Sequence, residues 1–249
     1  MLIRDSLREQ GATLFRLRSS LPLLLLPLAA LALRESEWLE QSYGDAVDDW
    51  YDWLCVAVSG VGLALRVAVA GFVPKRTSGR NTRKGQVADT LNTTGLYSVV
   101  RHPLYLANGA VLAGFLLATG SLWFVLAGML ACCLYYERIL FTEEEFLLGR
   151  FGASYRAWAD ATPALVPRLA GWRPPALPFC WRTALKREYQ TICTAVATFA
   201  ALDYLEDAVA LGRIEFEAET SYLLAATLLF FAVSRLIRTQ TRWLHVTGR

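Results

Sequence analysis

"RHPLYLANGAVLAGFLLATGSLWFVLAGMLACCLYYERILFTEEEF", residues 101–146, decides the fold. Its two apolar runs, 104–118 and 121–136, meet at Thr119-Gly120-Ser121. That spacing predicts a tight helical hairpin (104–136), which returns the chain to the membrane side it left, whether or not each arm crosses fully. Polar groups flank both ends: Arg101-His102-Pro103 before the hairpin, Glu143-Glu144-Glu145 after it. Proline suits the first turn of a helix, and Arg101 can snorkel toward lipid phosphates. A membrane boundary therefore explains the first flank taken alone.

The chain has 249 residues, 55% of them hydrophobic, and mean hydropathy +0.33. This points to a polytopic membrane protein. Four more apolar stretches, 19–34, 54–73, 192–211 and 219–237, extend the hairpin to an all-α bundle of about six spans. Crossing the hydrocarbon core takes about 20 apolar residues, which 54–73, 192–211 and 219–237 meet. The 19–34 stretch reads as a retained anchor despite Ala30-Leu31-Ala32. The arm before it carries Arg4, Arg8, Arg16 and Arg18 together with Asp5 and Glu9, unlike a signal peptide. Net charge is +3, with cations spread between apolar runs, so no nucleic-acid partner is expected. Cys55, Cys132, Cys133, Cys180 and Cys193 form no C-x-x-C pair, so no disulfide framework and no metal site is expected.

Loop charge sets the orientation. Segment 34–53 has seven acids and one Arg, and 205–218 is mainly acidic. Segment 74–103 carries Lys75, Arg76, Arg80, Arg83, Lys84 and Arg101 against Asp89 alone, and the C-terminal tail holds Arg235, Arg238, Arg242 and Arg249 without an acid. Both termini, 74–103 and 137–191 are expected on the cytoplasmic side, in the plasma (inner) membrane if the source is bacterial. The acidic loops are expected outside.

The second polar cluster is "TEEEFLLGRFGASYRAWADATPALVP", residues 142–167. Locally it fits a new interfacial helix, with Thr142 as N-cap, Glu145 at N3, Glu143 and Glu144 near its positive end, and Gly152 as its stop. Tyr155 and Trp158 fit interfacial aromatics. Joined to the hairpin, the same residues gain a second meaning. Arg101, His102 and Tyr105 are expected to meet Arg138, Glu143 and Glu144 at the cytoplasmic boundary.

The pattern resembles the isoprenylcysteine carboxyl methyltransferase family and related phospholipid methyltransferases. It is carried by "TTGLYSVVRHPLYLANG" (93–109), the apolar hairpin, and "EE-x-FLLGRFG-x-x-Y-x-x-W" (143–158) with Pro163 and Pro167. The resemblance covers roughly 90–167. It implies a membrane-embedded enzyme using S-adenosylmethionine (AdoMet), with the segment after the hairpin folding over the cofactor on the cytoplasmic side. It implies a cofactor site lined by Tyr97, His102, Pro103, Tyr105, Glu143 and Glu144, with Glu144 on the cofactor's ammonium. Arg101 and Arg138 are candidate catalytic residues that bind an anionic substrate or the cofactor's carboxylate. No general base is assigned. The implied acceptor is a membrane lipid or lipidated group, carboxylate or amine. Two other readings stay open: an NADPH-dependent membrane reductase of related architecture, and a noncatalytic lipid-binding membrane protein.

The chain departs from the family pattern at Leu96, where a Pro is usual, and at Ala107, where a Gly is usual. "GVGLAL" (60–65) lies within a span, and reads as small-residue helix packing rather than a dinucleotide fingerprint. Three regions are expected: N-terminal spans and basic loop (1–89), methyltransferase core (90–170), and a C-terminal extension with two further spans (171–249). Arg66 and Asp203 are charges inside spans, where a partner or watery cavity is expected. They are expected to pair, either as a structural bridge joining the extension to the core or at the acceptor's entry path, with Arg66 as the substrate-binding residue.

Overall fold

The computed structural model describes residues 3–17, 24–36, 38–74, 77, 80–82, 85–210, 212–213 and 216–249. Residues 19–23 of the first apolar stretch, and Lys75, Arg76, Arg83 and Lys84 of the basic loop, lie outside the described residues. The fold is helical: α1 (Ile3–Leu17), α2 (Leu26–Ala32), α3 (Trp38–Tyr43), α4 (Asp45–Phe72), α5 (Pro103–Leu117), α6 (Leu122–Phe151), α7 (Ala153–Ala161), α8 (Trp181–Ala210) and α9 (Ala218–Gln240). A two-stranded antiparallel hairpin, β1 (Arg80–Thr82) and β2 (Gly85–Val87), sits in the basic loop.

Among the described residues, three helices are long and apolar enough to cross a membrane: α4, α6 and α9. Leu122, Leu126, Leu130 and Leu134 of α6 are all exposed. At four-residue spacing they form one ridge, the face a membrane helix turns to lipid. Residues 192–210 of the apolar stretch 192–211 belong to α8, which runs from Trp181 and is not among those three. Lys186, Arg187 and Glu188 near one end and Asp203, Glu206 and Asp207 near the other dilute its apolar character.

The expected hairpin is α5 and α6, joined at 118–121. Its second arm is longer than the apolar run suggests. The new helix expected at Thr142 does not exist, because α6 continues unbroken from Leu122 to Phe151. Residues 137–151 contain no proline, and Glu, Arg and Leu there favour helix. Thr142 Oγ1 donates to the Arg138 carbonyl at 3.0 Å, as an interior residue does. The stop is where expected. Gly152 has φ 55°, a left-handed conformation that glycine adopts without a Cβ penalty, and its N–H donates to Leu148 O at 2.8 Å.

Helices α4 and α5 lie together along most of α5 because small residues let their backbones approach. A Cβ on Gly62 would sit 2.5 Å from the Ala107 carbonyl, and one on Gly114 would sit 2.5 Å from the Cys55 carbonyl. Ser59 Oγ crosses the gap to Val111 O at 2.8 Å. The small-residue packing read from 60–65 therefore rests on Gly62, whereas Gly60 faces open space. Ala107 is fully buried in this contact.

The C-terminal part returns to the same bundle. The last turn of α4 leaves carbonyls without helical partners, and Gly71 O accepts from Cys180 N at 3.0 Å and Arg249 Nη1 at 2.7 Å. Arg187 Nη1 donates to Ala70 O at 3.4 Å. These cations also complement the negative end of the helix dipole.

Candidate functional site

Pro103 opens α5 and is buried at its first turn, which places His102 at the N-cap position with φ −122° and ψ 62°. The His102 carbonyl accepts from Tyr105 N at 3.1 Å and Leu106 N at 3.2 Å. The ring is thereby held at the helix start and turned inward, and His102 is 5% exposed. Its Nε2 lies 2.9 Å from Glu144 Oε1. Arg101 Nη2 lies 3.2 Å from the same oxygen. With Glu144 ionised, both groups donate to Oε1, and Oε2 takes part in neither contact.

Glu143 is buried beside Tyr105 and His102. Tyr105 packs edge-on against His102 and Tyr136, with ring centroids 5.8 and 5.1 Å apart. Tyr136 and Glu143 share a face because seven residues make nearly two helical turns. The unbroken α6 therefore carries an aromatic and a carboxylate to the same place.

A strap made by residues after α7 closes one side. Pro163 O and Ala164 O accept from the backbone N–H of Arg101 and His102 at 2.8 and 3.2 Å, and Arg168 N donates to Val99 O at 2.9 Å. Further along, Gly95 N donates to Arg173 O at 2.9 Å, and Arg173 N to Ser98 Oγ at 2.9 Å. Helix α7 is tied down by Trp158 Nε1, which donates to Tyr97 O at 3.1 Å, and by Arg101 Nη1, which donates to Ala159 O at 3.3 Å. Tyr97 itself is buried with Val69 and Val73. Tyr155 is not an interfacial aromatic. It is 3% exposed and packs with Ala88 and Leu147, because α7 turns that face onto α6. Burial, and then the nearby Glu144 charge, push its hydroxyl upward, so it keeps its proton.

The structure thus gathers Arg101, His102, Tyr105, Glu143 and Glu144, with Pro103 and Tyr97 supporting them. Arg138 stands apart. It pairs with Glu137 on α6, and its carbonyl lies against Gly11 of α1. Six residues place it about 120° around the helix from Glu144.

Arg66 also lies elsewhere, and the Arg66–Asp203 pair is not formed. Arg66 Nε donates to Glu188 Oε2 at 2.7 Å and Nη2 to Thr191 Oγ1 at 3.3 Å, while Nη1 donates to Asn108 Oδ1. Asp203 instead accepts from Thr220 Oγ1 at 3.0 Å. The physical reason is depth: 15 residues separate Glu188 from Asp203, roughly 22 Å along α8. Asn108 lies one turn beyond Tyr105 on α5 and interacts with Tyr136, so the Arg66 network adjoins the site without entering it. Nothing local in "LKREYQ" (185–190) marks Glu188 as a buried partner.

Residues 56–154 match the family model described as phospholipid methyltransferase, a stretch from within α4 through the hairpin to the start of α7. It contains Arg101-His102-Pro103 and residues 142–154 of the second polar cluster. The chain is 32% identical over 146 residues to the cobalt-zinc-cadmium resistance protein CzcN of Cupriavidus metallidurans, covering 59% of this chain and 61% of that protein. It is 34% identical over 128 residues to the nickel-cobalt-cadmium resistance protein NccN of Alcaligenes xylosoxydans xylosoxydans, covering 50% and 57%. It is 34% identical over 130 residues to methanethiol S-methyltransferase 2 of Bradyrhizobium diazoefficiens, covering 48% and 44%. The matched stretches thus span less than two thirds of each relative. No solved structure matches the chain. Among the described residues, no group of three or more His, Cys, Asp and Glu side chains is arranged to hold a metal ion.

Proposed function

We propose that this integral membrane protein, whose core carries the phospholipid methyltransferase pattern, is an AdoMet-dependent methyltransferase acting on a lipid or lipidated acceptor at the cytoplasmic boundary. The observation that carries the proposal is the joining of the two hairpin ends on one carboxylate. His102 and Arg101 both meet Glu144 Oε1, at 2.9 and 3.2 Å, within the matched segment. AdoMet supplies an electrophilic methyl group on a sulfonium. What the protein must add is alignment and exclusion of water.

The residues present fit the cofactor's amino-acid end. Glu144 Oε2 suits the ammonium group, with His102 and Arg101 fixing the carboxylate by its other oxygen. Tyr105, Tyr136 and Pro103 supply apolar walls, and the 163–168 strap restricts access from the side of Arg101. Arg138 and Arg66 have no place in this assignment. The first faces α1, and each guanidinium nitrogen of the second is occupied by protein. We assign no general base. A carboxylate acceptor needs none near neutral pH, whereas an amine must first lose a proton.

The relative named as a methanethiol S-methyltransferase favours a second acceptor class, a small thiol, at the same site. Calorimetry on the purified chain in detergent tests the cofactor. The chain binds AdoMet and its demethylated product but not NADPH, and Glu144→Ala and His102→Ala each weaken AdoMet at least tenfold. Binding of NADPH alone would refute the proposal in favour of a reductase. Binding of neither would favour a noncatalytic lipid-binding protein.

A further inference from the structure

Among the described residues, three buried side-chain polar atoms make no hydrogen bond: Arg101 Nε, Tyr155 OH and Arg182 Nε. Arg182 lies at the start of α8, with its guanidinium over the Trp243 ring. The other two lie within electrostatic reach of each other and of Glu144. Arg101 bridges Glu144 at 3.2 Å and donates to Ala159 O at 3.3 Å, one turn of α7 from Tyr155. Tyr155 and Ala159 pack in the same cluster.

A buried polar group without a partner is costly, and such atoms are rare in folded proteins. Arg Nε–H can only donate, and a neutral Tyr hydroxyl can donate as well as accept, so the two share only the capacity to donate to a common partner. What would satisfy both is therefore an acceptor. Beside the arginine charge, an oxyanion fits best. Glu144 bonds neither atom: it meets Arg101 through Nη2 and His102 through Nε2.

We propose that Tyr155 OH and Arg101 Nε form an oxyanion-binding donor pair at the edge of the Glu144 site. Tyr155, which lies outside both polar flanks of the hairpin, is then a ligand-binding residue. The inference rests on the proposed function, within which the oxyanion has two sources: the carboxylate of AdoMet or the phosphate of an anionic lipid. Glu144 Oε2 and the donor pair would lie on either side of one amino acid, with opposite charge preferences.

Tyr155→Phe removes only the hydroxyl, so full-length protein in detergent provides the test. Its melting temperature without ligand should equal or exceed that of the original chain, because an unsatisfied group is lost. A hydroxyl serving the fold would lower it. If the oxyanion is the cofactor's, Tyr155→Phe weakens AdoMet about tenfold, the scale of one hydrogen bond to a charged group. Decarboxylated AdoMet then binds both proteins equally. If it is a lipid's, AdoMet affinity is unchanged, and affinity for phosphatidylglycerol micelles, but not for diacylglycerol micelles, falls by a similar factor. Tyr155→Leu, which also lacks the hydroxyl and leaves the Arg101 contacts to Glu144 and Ala159 O in place, should reproduce either pattern and serves if Tyr155→Phe does not fold. Unchanged AdoMet and phosphatidylglycerol affinity in a folded variant overturns the inference. Failure of the unsubstituted chain to bind AdoMet overturns the methyltransferase assignment instead.

Discussion

Glu188→Ala should be among the most destabilising single substitutions in the chain. The Arg66 side chain is 18% exposed and that of Glu188 7%, with Nε 2.7 Å from Oε2. Removing one partner of a buried pair typically costs about 3–5 kcal/mol, because the other charge is left uncompensated. Asn108 and Thr191 still hold two of the guanidinium nitrogens, which places the expected loss near the lower end, about 3 kcal/mol. Replacing both charges should behave differently. Arg66→Met with Glu188→Met removes the desolvation penalty along with the attraction, and such exchanges are often neutral or stabilising. The double variant should recover to within about 1 kcal/mol of the original chain. Reversible unfolding in detergent reads all four proteins. Asp203→Ala is the internal comparison and should cost little, since Asp203 is exposed and bonds Thr220. A Glu188→Ala loss below about 0.5 kcal/mol, the range of ordinary surface substitutions, would refute the pairing. So would an Asp203→Ala loss as large as that of Glu188→Ala.

Gly62→Leu should separate α4 from α5, costing about 1–3 kcal/mol by overpacking, whereas Gly60→Leu, facing open space, should be nearly silent in the same melts. Trp158→Phe removes the donor to Tyr97 O and should cost about 1 kcal/mol, with faster limited proteolysis between α7 and α8. Cysteines placed singly at Asp48 and Glu217 in a cysteine-free chain should label from outside the cell, and one at Arg156 only after permeabilisation. External labelling at Arg156 would reverse the orientation.

The hairpin was legible because apolar run lengths and a three-residue break report directly on helices and their turn. Its extension was not. "TEEE" carries the signature of a helix start, and only the unbroken backbone from Leu122 to Phe151 shows that Thr142 lies mid-helix. That continuity puts Tyr136 on the face of Glu143. The meeting of His102 and Arg101 with Glu144 followed from topology, since a hairpin must return. Position along the chain groups Arg138 with these residues, but helical phase turns it toward α1. The sequence marks Arg66 as a charge needing a partner, yet the identity of that partner depends on how α8 lies along α4. No local pattern encodes that register. Tyr155 reads as an interfacial aromatic until α7 is seen to press it onto Leu147.

Methyl transfer itself remains the most direct measurement of the central claim. Membranes containing the chain are incubated with methyl-labelled AdoMet, and label is counted in extracted lipid and in volatile thioether. Label is expected in the lipid fraction and depends on both Glu144 and His102, falling to background in Glu144→Ala and His102→Ala variants that retain their native melting behaviour. Label in the thioether alone would retain the methyltransferase and replace its acceptor. Equal label from the original chain and the Glu144→Ala variant, in either fraction, would contradict the account.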